Sequence, residues 1–440
     1  MKNTEDKSRA NWRSIYFLSA VSFFNDIASE MIYPLIPVFI KTVLGFGAEI
    51  IGVIEGVAES INSLLKLFSG WISDKAKKRK IFVLAGYSLS NLVRPLIGIS
   101  GYWGAVLGFR LTDRIGKGIR TSPRDAMICD LAPEDRRGLA FGIQRGMDHA
   151  GAVIGPLISS LLITFFLLDL KKVFLLSYIP GIIAVLIVIF GVREIKKDEH
   201  VRLEELNKFQ SGQCLSGRGA GDKSISPAES DKGVDDEGID GKASKKPILF
   251  FKDFKKLGGR FNYLLSVLVI FTLGNSTDAF LLLRASDLGV QLAYIPLLWS
   301  VLHLSKTLFS LLGGHLSDKT GRKTIIGLGW SVYLLTYIGF AFADNLWQIW
   351  ALFAFYGLFF GFTEGVEKAL VGDMVSKDTR GLAYGFYNFA IGIAALPASI
   401  VFGLVWKLSG FRYAFIMGAG ISLAALIMLA FLRIPGRKQS

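Results

Sequence analysis

The sequence predicts an all-α membrane protein whose twelve transmembrane helices form two pseudo-symmetric six-helix bundles. Apolar runs of about 20 residues recur along the 440-residue chain, and each is long enough to cross the ~30 Å hydrocarbon core of a bilayer as a helix. With 51% hydrophobic residues and 34 phenylalanines, the composition is too apolar for a soluble protein of this length. The segment Gly70–Lys80 (GWISDKAKKRK) returns as Gly314–Lys323 (GHLSDKTGRK), which indicates two copies of one unit.

The expected spans fall into two groups of six on either side of a polar stretch. They lie near residues 14–40, 49–72, 81–100, 103–124, 138–164 and 173–192, and then near 262–286, 293–316, 324–343, 347–371, 381–407 and 412–433. The predicted organisation is therefore an N-terminal segment 1–13, a bundle 14–193, a linker 194–258, a second bundle 259–433 and a C-terminal segment 434–440.

The linker differs in composition from the rest of the chain. Residues 194–246 are rich in Gly, Ser, Asp and Lys and nearly free of aromatic residues, which predicts disorder because too little apolar surface is available for burial. A tether is the expected role, with partner binding as the alternative. Ile248–Leu257 (ILFFKDFKKL) is amphipathic and is expected to lie along the membrane surface.

Loop charges predict the orientation. Basic residues gather on one face, at Lys2, Lys7, Arg9, Arg13, Lys75–Lys80, Arg136–Arg137, Lys319–Lys323, Lys377–Arg380 and Arg437–Lys438. The opposite loops carry few, such as Lys41, Lys171, Lys172 and Lys407. Cytoplasmic loops are enriched in Lys and Arg, so both termini are expected in the cytoplasm of a multi-pass protein of the cell membrane.

The same asymmetry explains most of the net charge of +14, and nucleic-acid binding is the weaker explanation. The first 14 residues are polar and charged, unlike a cleavable signal peptide. Cys129 and Cys214 both fall on the predicted cytoplasmic side, so the sequence suggests neither a disulfide nor a metal site.

Carboxylates inside the first two spans are candidate functional groups. Asp26, Glu30 and Tyr33 follow i, i+4, i+7 spacing and share one helix face, while Glu55 and Glu59 lie on one stripe of the second span. Ionisable groups at membrane depth are expensive, so these side chains should face the bundle interior or a wet cavity. Either one of the four carries a proton, or all are paired with bases of the fourth span; the sequence leaves both open.

The fourth span carries the densest charge. Arg110, Asp113, Arg114, Lys117, Arg120 and Arg124 fall within an arc of roughly 120°. The first three are expected deep enough to line a cavity, and the last three to form salt bridges. Elsewhere, the cavity candidates are Arg145, Asp148, Asp278, His303 and Glu364. Arg145 and Asp148 could neutralise each other at i, i+3, and His303 could titrate or be a hydrogen-bonded fixture.

The two halves align at an offset of 243–244 residues. Gly70 matches Gly314, Asp74 matches Asp318, and the segment that begins at Arg137 (RGLAFG) matches the one that begins at Arg380 (RGLAYG). The charges inside the spans are not duplicated. The hairpins are repeated and the charged residues inside the spans are not, which indicates that function lies between two diverged halves.

These features resemble the major facilitator superfamily over nearly the whole chain. The second hairpin, with Gly321 and Arg322, matches the family's loop motif fully, whereas the first has Lys77 in place of a glycine. Gly151-x-x-x-Gly155-Pro156 is similar to the helix 5 motif of proton antiporters that export drugs, although Ser159–Ser160 replaces a glycine pair.

The resemblance implies a rocker-switch secondary transporter with one site near the membrane midplane. It also implies a gating or structural role for the hairpins and the helix 5 motif, at Gly70, Asp74, Arg137, Gly151, Gly155, Pro156, Gly314, Asp318, Gly321, Arg322 and Arg380.

Two transport hypotheses and one alternative follow. The first is proton-coupled efflux of a small organic solute, with Asp26 or Glu30 as the proton carrier and no cofactor; the expected partners are the solute, protons and the lipid bilayer, and the expected state is a monomer. The second is uptake or exchange of an organic anion, a carboxylate or phosphate ester, which paired guanidinium groups would bind. A membrane enzyme or sensor is disfavoured, because the sequence shows no metal-ligand cluster and no nucleophile–base pair.

Overall fold

A computed structural model describes residues 2–76, 79–132, 137–192, 257–375 and 379–432, and these are almost entirely helical with no strand. The predicted linker, apart from Leu257 and Gly258, and the C-terminal segment 434–440 lie outside the described residues. The described side chains begin at Trp12.

Among the described residues, the first half contains eight α-helices that build six passes. They are α1 (Lys2–Glu30), α2 (Ile36–Thr42), α3 (Ala48–Ala76), α4 (Arg79–Val93), α5 (Trp103–Leu131), α6 (Arg137–Phe165), α7 (Leu170–Leu176) and α8 (Tyr178–Gly191). Short 3-10 segments at Tyr33–Leu35 and Arg94–Ile99 continue α1 and α4. Pro34 and Pro37 stand in the first turns of the 3-10 segment and of α2, and the α-helix of the first pass is interrupted there because proline lacks a backbone N–H donor.

In its described part, the second half contains seven α-helices, again in six passes. They are α9 (Gly259–Gly274), α10 (Ala279–Asp287), α11 (Ile295–Thr320), α12 (Arg322–Phe342), α13 (Leu346–Asp373), α14 (Arg380–Ser409) and α15 (Phe411–Phe431). The pass predicted at 262–286 is divided between α9 and α10. No proline causes this break. The sequence Asn275–Asp278 is polar throughout, and such short side chains compete with the helical backbone for hydrogen bonds.

Ten helical segments in the described chain are long and apolar enough to cross a membrane. The two remaining long helices are α3 and α5, which carry the charged stripes found in the sequence. The protein is thus an all-helical membrane protein, and the fold class is confirmed.

Within the first half, α1 packs on α6, and α5 packs on both α3 and α4. The helix 5 motif makes the first of these contacts close. A Cβ atom at Gly155 would lie 2.7 Å from the carbonyl oxygen of Ile27, and the Ser159 hydroxyl donates to the carbonyl oxygen of Met31 at 2.6 Å. Gly151, Gly155 and Pro156 therefore belong to a seam inside one bundle, between α6 and α1.

The two halves meet mainly along two helix pairs, α3 with α14 and α6 with α11. Near the start of α3 the contact is tight, because a Cβ atom at Gly403 would lie 2.7 Å from the carbonyl oxygen of Ala48. Further along, the Ser60 hydroxyl donates to the carbonyl oxygen of Gly392 at 2.6 Å. We call the side of the molecule where α3 begins the closed end, and the side where α3 ends at the hairpin the open end.

Candidate functional site

Four buried charges form a network inside the first half. Arg110 on α5 donates two hydrogen bonds to Glu55 on α3, from Nε to Oε1 at 2.8 Å and from Nη2 to Oε2 at 2.6 Å. Its Nη1 lies 3.4 Å from Asp113 Oδ2, and the other Asp113 oxygen accepts from Arg94 Nε at 2.8 Å. Two cations balance two anions, so the network is neutral and joins α3, α5 and the 3-10 segment after α4.

The predicted cavity candidates Glu55, Arg110 and Asp113 are thus held against one another, with side chains at most 6% exposed. Sequence reasoning missed Arg94, which also donates to the side-chain oxygens of Asn25 and Asn91 at 3.0 and 2.9 Å. A lone arginine inside an apolar span was the available signal, since a charge at that depth requires a partner.

A second group of charges lies nearer the open end and is more accessible. In the first half, Arg114 Nε lies 3.8 Å from Glu59 Oε2. In the second half, Lys306 Nζ lies 2.8 Å from Glu364 Oε2. The Glu59 and Glu364 side chains are 47% and 42% exposed. These pairs join helices within each half: α5 with α3, and α11 with α13.

Asp148 on α6 is shared between two arginines, Arg145 at 3.7 Å and Arg124 at 3.9 Å. The second of these joins α6 to α5, as expected for the lower part of the charged helix. Arg120 instead donates to the Ser90 hydroxyl at 2.8 Å, with its guanidinium over the Tyr87 ring.

Three carboxylates near mid-depth are held by neutral donors and form no ion pair with any described residue. Asp26 accepts from the Asn25 amide at 3.0 Å, and Asp278 accepts from the Tyr356 hydroxyl at 2.8 Å. Glu30 accepts at both oxygens, from the Ser29 hydroxyl at 3.2 Å and from the indole N–H of Trp299 at 2.8 Å. A buried charge without a counter-charge is costly. These three carboxylates therefore differ from Glu55 and Asp113, whose charges are balanced by Arg94 and Arg110 in the network that we call the sealed network.

Trp299 places an aromatic group between the halves. Its ring centroid lies 5.0 Å from that of Tyr33 and 5.2 Å from that of His303. The predicted candidate His303 therefore lies close to Glu30, and the two interact electrostatically. Nothing in the sequence singled out Trp299, because a tryptophan in an apolar span is ordinary.

Polar atoms that lack hydrogen-bond partners concentrate in this region. In the described chain they include Asn62 Oδ1, Arg114 Nε, Gln144 Oε1, Asp148 Oδ1 and both ring nitrogens of His303. Buried polar atoms normally find partners, so a cluster of exceptions is typical of a site that binds water or a polar ligand. The cluster contains both donors and acceptors, and it lies along the interior faces of α3, α5, α6 and α11.

Ion pairs between the halves mark the closed end. Lys41 pairs with Asp287, and Lys407 Nζ lies 2.8 Å from Glu49 Oε1. On the other side, Lys66 on α3 and Lys368 on α13 lie on opposite halves and repel each other, while Glu59 attracts Lys66. Among the described residues, the ion pairs that join the halves therefore lie at the closed end.

The duplicated hairpins are partly described. Gly321 ends α11 with φ +95°, a conformation that favours glycine, so the turn predicted in the second hairpin is present. Arg322 pairs with Asp373, and Arg79 pairs with Asp130 at the equivalent place in the first half. Gly70 and Gly314 lie within α3 and α11. The side chains of Asp74, Arg137, Asp318 and Arg380 lie outside the described part, as does Lys77.

No group of three or more His, Cys, Asp or Glu among the described residues is placed to hold a metal ion. The polar groups that converge between the halves in the described chain are carboxylates, amides, lysines, arginines and two histidines, His149 and His303. Such a set can bind a polar solute and exchange protons with it.

The chain belongs to the Major Facilitator Superfamily. The model of that family matches residues 18–304 and 263–440, which together cover nearly the whole chain. The resemblance noted from the hairpins is confirmed, and the protein is a membrane transporter of this superfamily.

Similar proteins agree on the class and differ in cargo. An uncharacterized MFS-type transporter of Methanocaldococcus jannaschii is 32% identical, covering 98% of this chain and 97% of its own length. A multi-drug resistance efflux pump PmrA homolog of Lactococcus lactis is 23% identical, covering 91% and 96%. Among solved structures, an aspartate-to-alanine mutant of the nucleoside transporter NupG has a TM-score of 0.72 at 14% identity, covering 95% of this chain and 99% of that one. This last likeness concerns the fold alone.

Proposed function

We propose that the protein is a proton-coupled secondary transporter that exports a small organic solute through one site between its halves. The observation that carries this proposal is the group of three mid-depth carboxylates, Asp26, Glu30 and Asp278, which are held only by neutral donors in the described chain. Each can be neutralised by a proton or by a cationic group of the cargo. A proton and such a cargo would then compete for the same sites, and that competition couples their movements.

The cycle follows from the ion pairs at the closed end. With the closed end joined by ion pairs, cargo would enter from the open end and bind near Asp26, His303 and the unpartnered atoms around them. Closure of the open end and separation of Lys41 from Asp287 would then present the same site to the other side. Protonation of Asp26 or Glu30 from that side would favour cargo release and the return of the empty carrier.

Two further observations support the proposed direction of transport and the orientation of the protein in the membrane. The hairpin loops are basic, and the positive-inside rule places them in the cytoplasm of a cell membrane. The open end would then face the cytoplasm, where an exporter collects its cargo. The similarity to an efflux pump homolog of Lactococcus lactis favours export in the same way. We expect the transporter to act as a monomer without a cofactor.

A second candidate function is uptake or exchange of an organic anion such as a carboxylate or phosphate ester. Lys66 and Lys117 in the first half and Lys368 in the second are cations that form no ion pair with another described residue. Such an excess of cations at the open end would attract an anionic cargo. The deeper carboxylates would keep their role in proton coupling.

The test uses purified protein in liposomes with an imposed pH gradient, and it compares ethidium, a lipophilic cation, with glucose 6-phosphate, a phosphate ester. We expect gradient-driven movement of the cation in the parent protein. A variant with Asp26→Asn and Glu30→Gln together should lose this movement. Its counterflow, the exchange of labelled for unlabelled cargo, should also weaken, because the neutral side chains mimic the protonated carrier that releases cargo. Asp344→Asn, an exposed loop carboxylate, is the matched control.

Intact gradient-driven transport in the double variant would refute the assignment of the proton carrier. Movement of the phosphate ester alone would establish the second candidate in place of the first. A ligand that binds the folded state also raises its apparent stability, so a thermal-shift screen of diverse solutes on the purified protein supplies further cargo for the same assay.

A further inference from the structure

Among the hydrogen bonds that join the two halves in the described chain, one involves an ionisable side chain at mid-depth. The indole N–H of Trp299 on α11 donates to Glu30 Oε2 on α1 at 2.8 Å. The other direct bonds between the halves end on backbone oxygens, at Gly392 and Val153, or lie in the ion pairs of the closed end. The state of one carboxylate therefore bears directly on the contact between the halves.

The surroundings of Trp299 fix the direction of its N–H group. The residue is 5% exposed, and its ring packs between Tyr33 and His303. Tyr33 in turn lies under the guanidinium of Arg110, which the sealed network holds in place. Residues of both halves thus hold the indole in place. Trp299 cannot rotate its N–H away from Glu30 without losing its packing against Tyr33 and His303.

The strength of this bond depends on the charge of Glu30. A hydrogen bond to a carboxylate is about twice as strong as one between neutral groups. When Glu30 takes up a proton the charge is lost, and the bond to Trp299 becomes an ordinary neutral one. Proton binding at Glu30 therefore weakens the attachment of α11 to α1.

We propose that Trp299 is the positioning residue that couples proton binding at Glu30 to separation of the two halves at the closed end. Charged Glu30 holds Trp299 and keeps the closed end together, and neutral Glu30 releases it. The inference rests on the proposed proton-coupled function and names the contact through which the proton acts. Trp299 acts through Glu30 and is assigned no role in proton transfer itself.

Several charged groups surround this contact. They are Asp26 on α1, Glu55 on α3, Arg94 after α4, Arg110, Arg114, Lys117 and Arg120 on α5, Asp148 and His149 on α6, Asp278 before α10, His303 and Lys306 on α11, and Glu364 on α13. Of the described charged groups at this depth, Glu30 alone is hydrogen-bonded to the opposite half. The test therefore changes the Trp299–Glu30 bond itself and leaves these neighbours in place.

The experiment measures the distance between two spin labels at the closed end as a function of pH. Val43 and Gln291 are exposed positions there, on opposite halves, and each is replaced by cysteine in a background with Cys129→Ser and Cys214→Ser. The protein is held in lipid nanodiscs without cargo. We expect the parent to shift toward the separated distance as the pH falls.

Trp299→Phe keeps the ring and removes the N–H donor. We expect a separated population that is larger by about tenfold or more at high pH, the ratio that one hydrogen bond to a charged group controls, and a loss of most of the pH dependence. Glu30→Gln should also lose the pH dependence, with a smaller rise in the separated population because its amide oxygen still accepts a neutral hydrogen bond from Trp299. The double variant should match Trp299→Phe. Trp347→Phe, at a tryptophan that is 68% exposed, should behave as the parent does.

A pH response in Trp299→Phe equal to that of the parent overturns the proposal, and so does the absence of any pH response in the parent. Additive effects of Trp299→Phe and Glu30→Gln also overturn it, since the two would then act independently. Because the readout needs no cargo, its outcome is separate from that of the transport assay. The protein could show a pH response that depends on Trp299 and yet move no solute with the gradient. That result would refute the proposed function and would still support the role of the Trp299–Glu30 bond in separating the halves.

Discussion

Removing one member of the sealed charge network should destabilise the protein strongly. Arg110→Met deletes two hydrogen bonds to Glu55 and one contact with Asp113, in a region where all of these side chains are buried. Within the network two carboxylates then remain with the one cation Arg94, so Glu55 loses its hydrogen-bonded counter-charge and only the more distant Arg114 and Arg120 offset the excess. Breaking a buried pair in this way costs about 3–5 kcal/mol of the free energy of unfolding.

The reasoning predicts recovery when the charge is rebalanced. A double variant with Arg110→Met and Glu55→Met removes one cation and one anion together, and Arg94 still pairs with Asp113 at 2.8 Å. Replacing a whole buried pair by apolar side chains is often close to neutral, so we expect the double variant to lose less than about 2 kcal/mol. The double variant should thus be more stable than the single one.

The assay is reversible unfolding in mixed detergent micelles, followed as a function of the fraction of denaturing detergent. Lys172→Met is the control, because Lys172 and Asp169 form a pair whose side chains are 63% and 60% exposed. Exposed pairs contribute about 0–1 kcal/mol, so this control should be nearly neutral. A loss below about 1 kcal/mol in Arg110→Met, or a double variant less stable than the single one, would refute the account of the network.

Three further predictions use the contacts between and within the halves. Gly52→Ala should weaken the α3–α14 contact and lower the melting temperature, because its Cβ would clash with the carbonyl oxygen of Ser399. Gly108→Ala is the control and should leave the melting temperature unchanged, because the space around Gly108 is open. Equal effects of the two changes would contradict this prediction. Removing either closed-end lysine by Lys41→Met or Lys407→Met should raise the separated population in the spin-label measurement by up to about fivefold, since each pair is partly exposed; unchanged distances would contradict it. Gly321→Ala should cost about 1–3 kcal/mol in the unfolding assay because φ is +95° there, and a neutral outcome would show that the turn adapts.

Local patterns predicted the fold well. Apolar runs of membrane length, basic loops and a repeated hairpin are properties of short segments, and they led to the all-helical fold and to the superfamily. The interruption of the first α-helix at Pro34 was predictable because proline acts on its own backbone. The break at Asn275–Asp278 was not, since short polar residues are tolerated in many helices and the surrounding packing decides.

Partner choice among the charges was predictable only in outline. The bases of the fourth span, now α5, were expected near the carboxylates of the first two spans. Glu55 and Glu59 do pair with Arg110 and Arg114. Arg94 and Trp299 were missed because each lies in an apolar segment and acquires its role only from a partner distant in sequence.

The sequence by itself determined that this chain spans a membrane with two related bundles and that its charges concentrate on particular helix faces, because composition and periodicity are local. The tertiary structure alone decided which charges are sealed and which are accessible. Glu55 and Glu59 are one turn apart on the same helix, yet one is buried in a neutral network and the other is 47% exposed. The difference arises from the rotation and depth of neighbouring helices, which no single segment encodes.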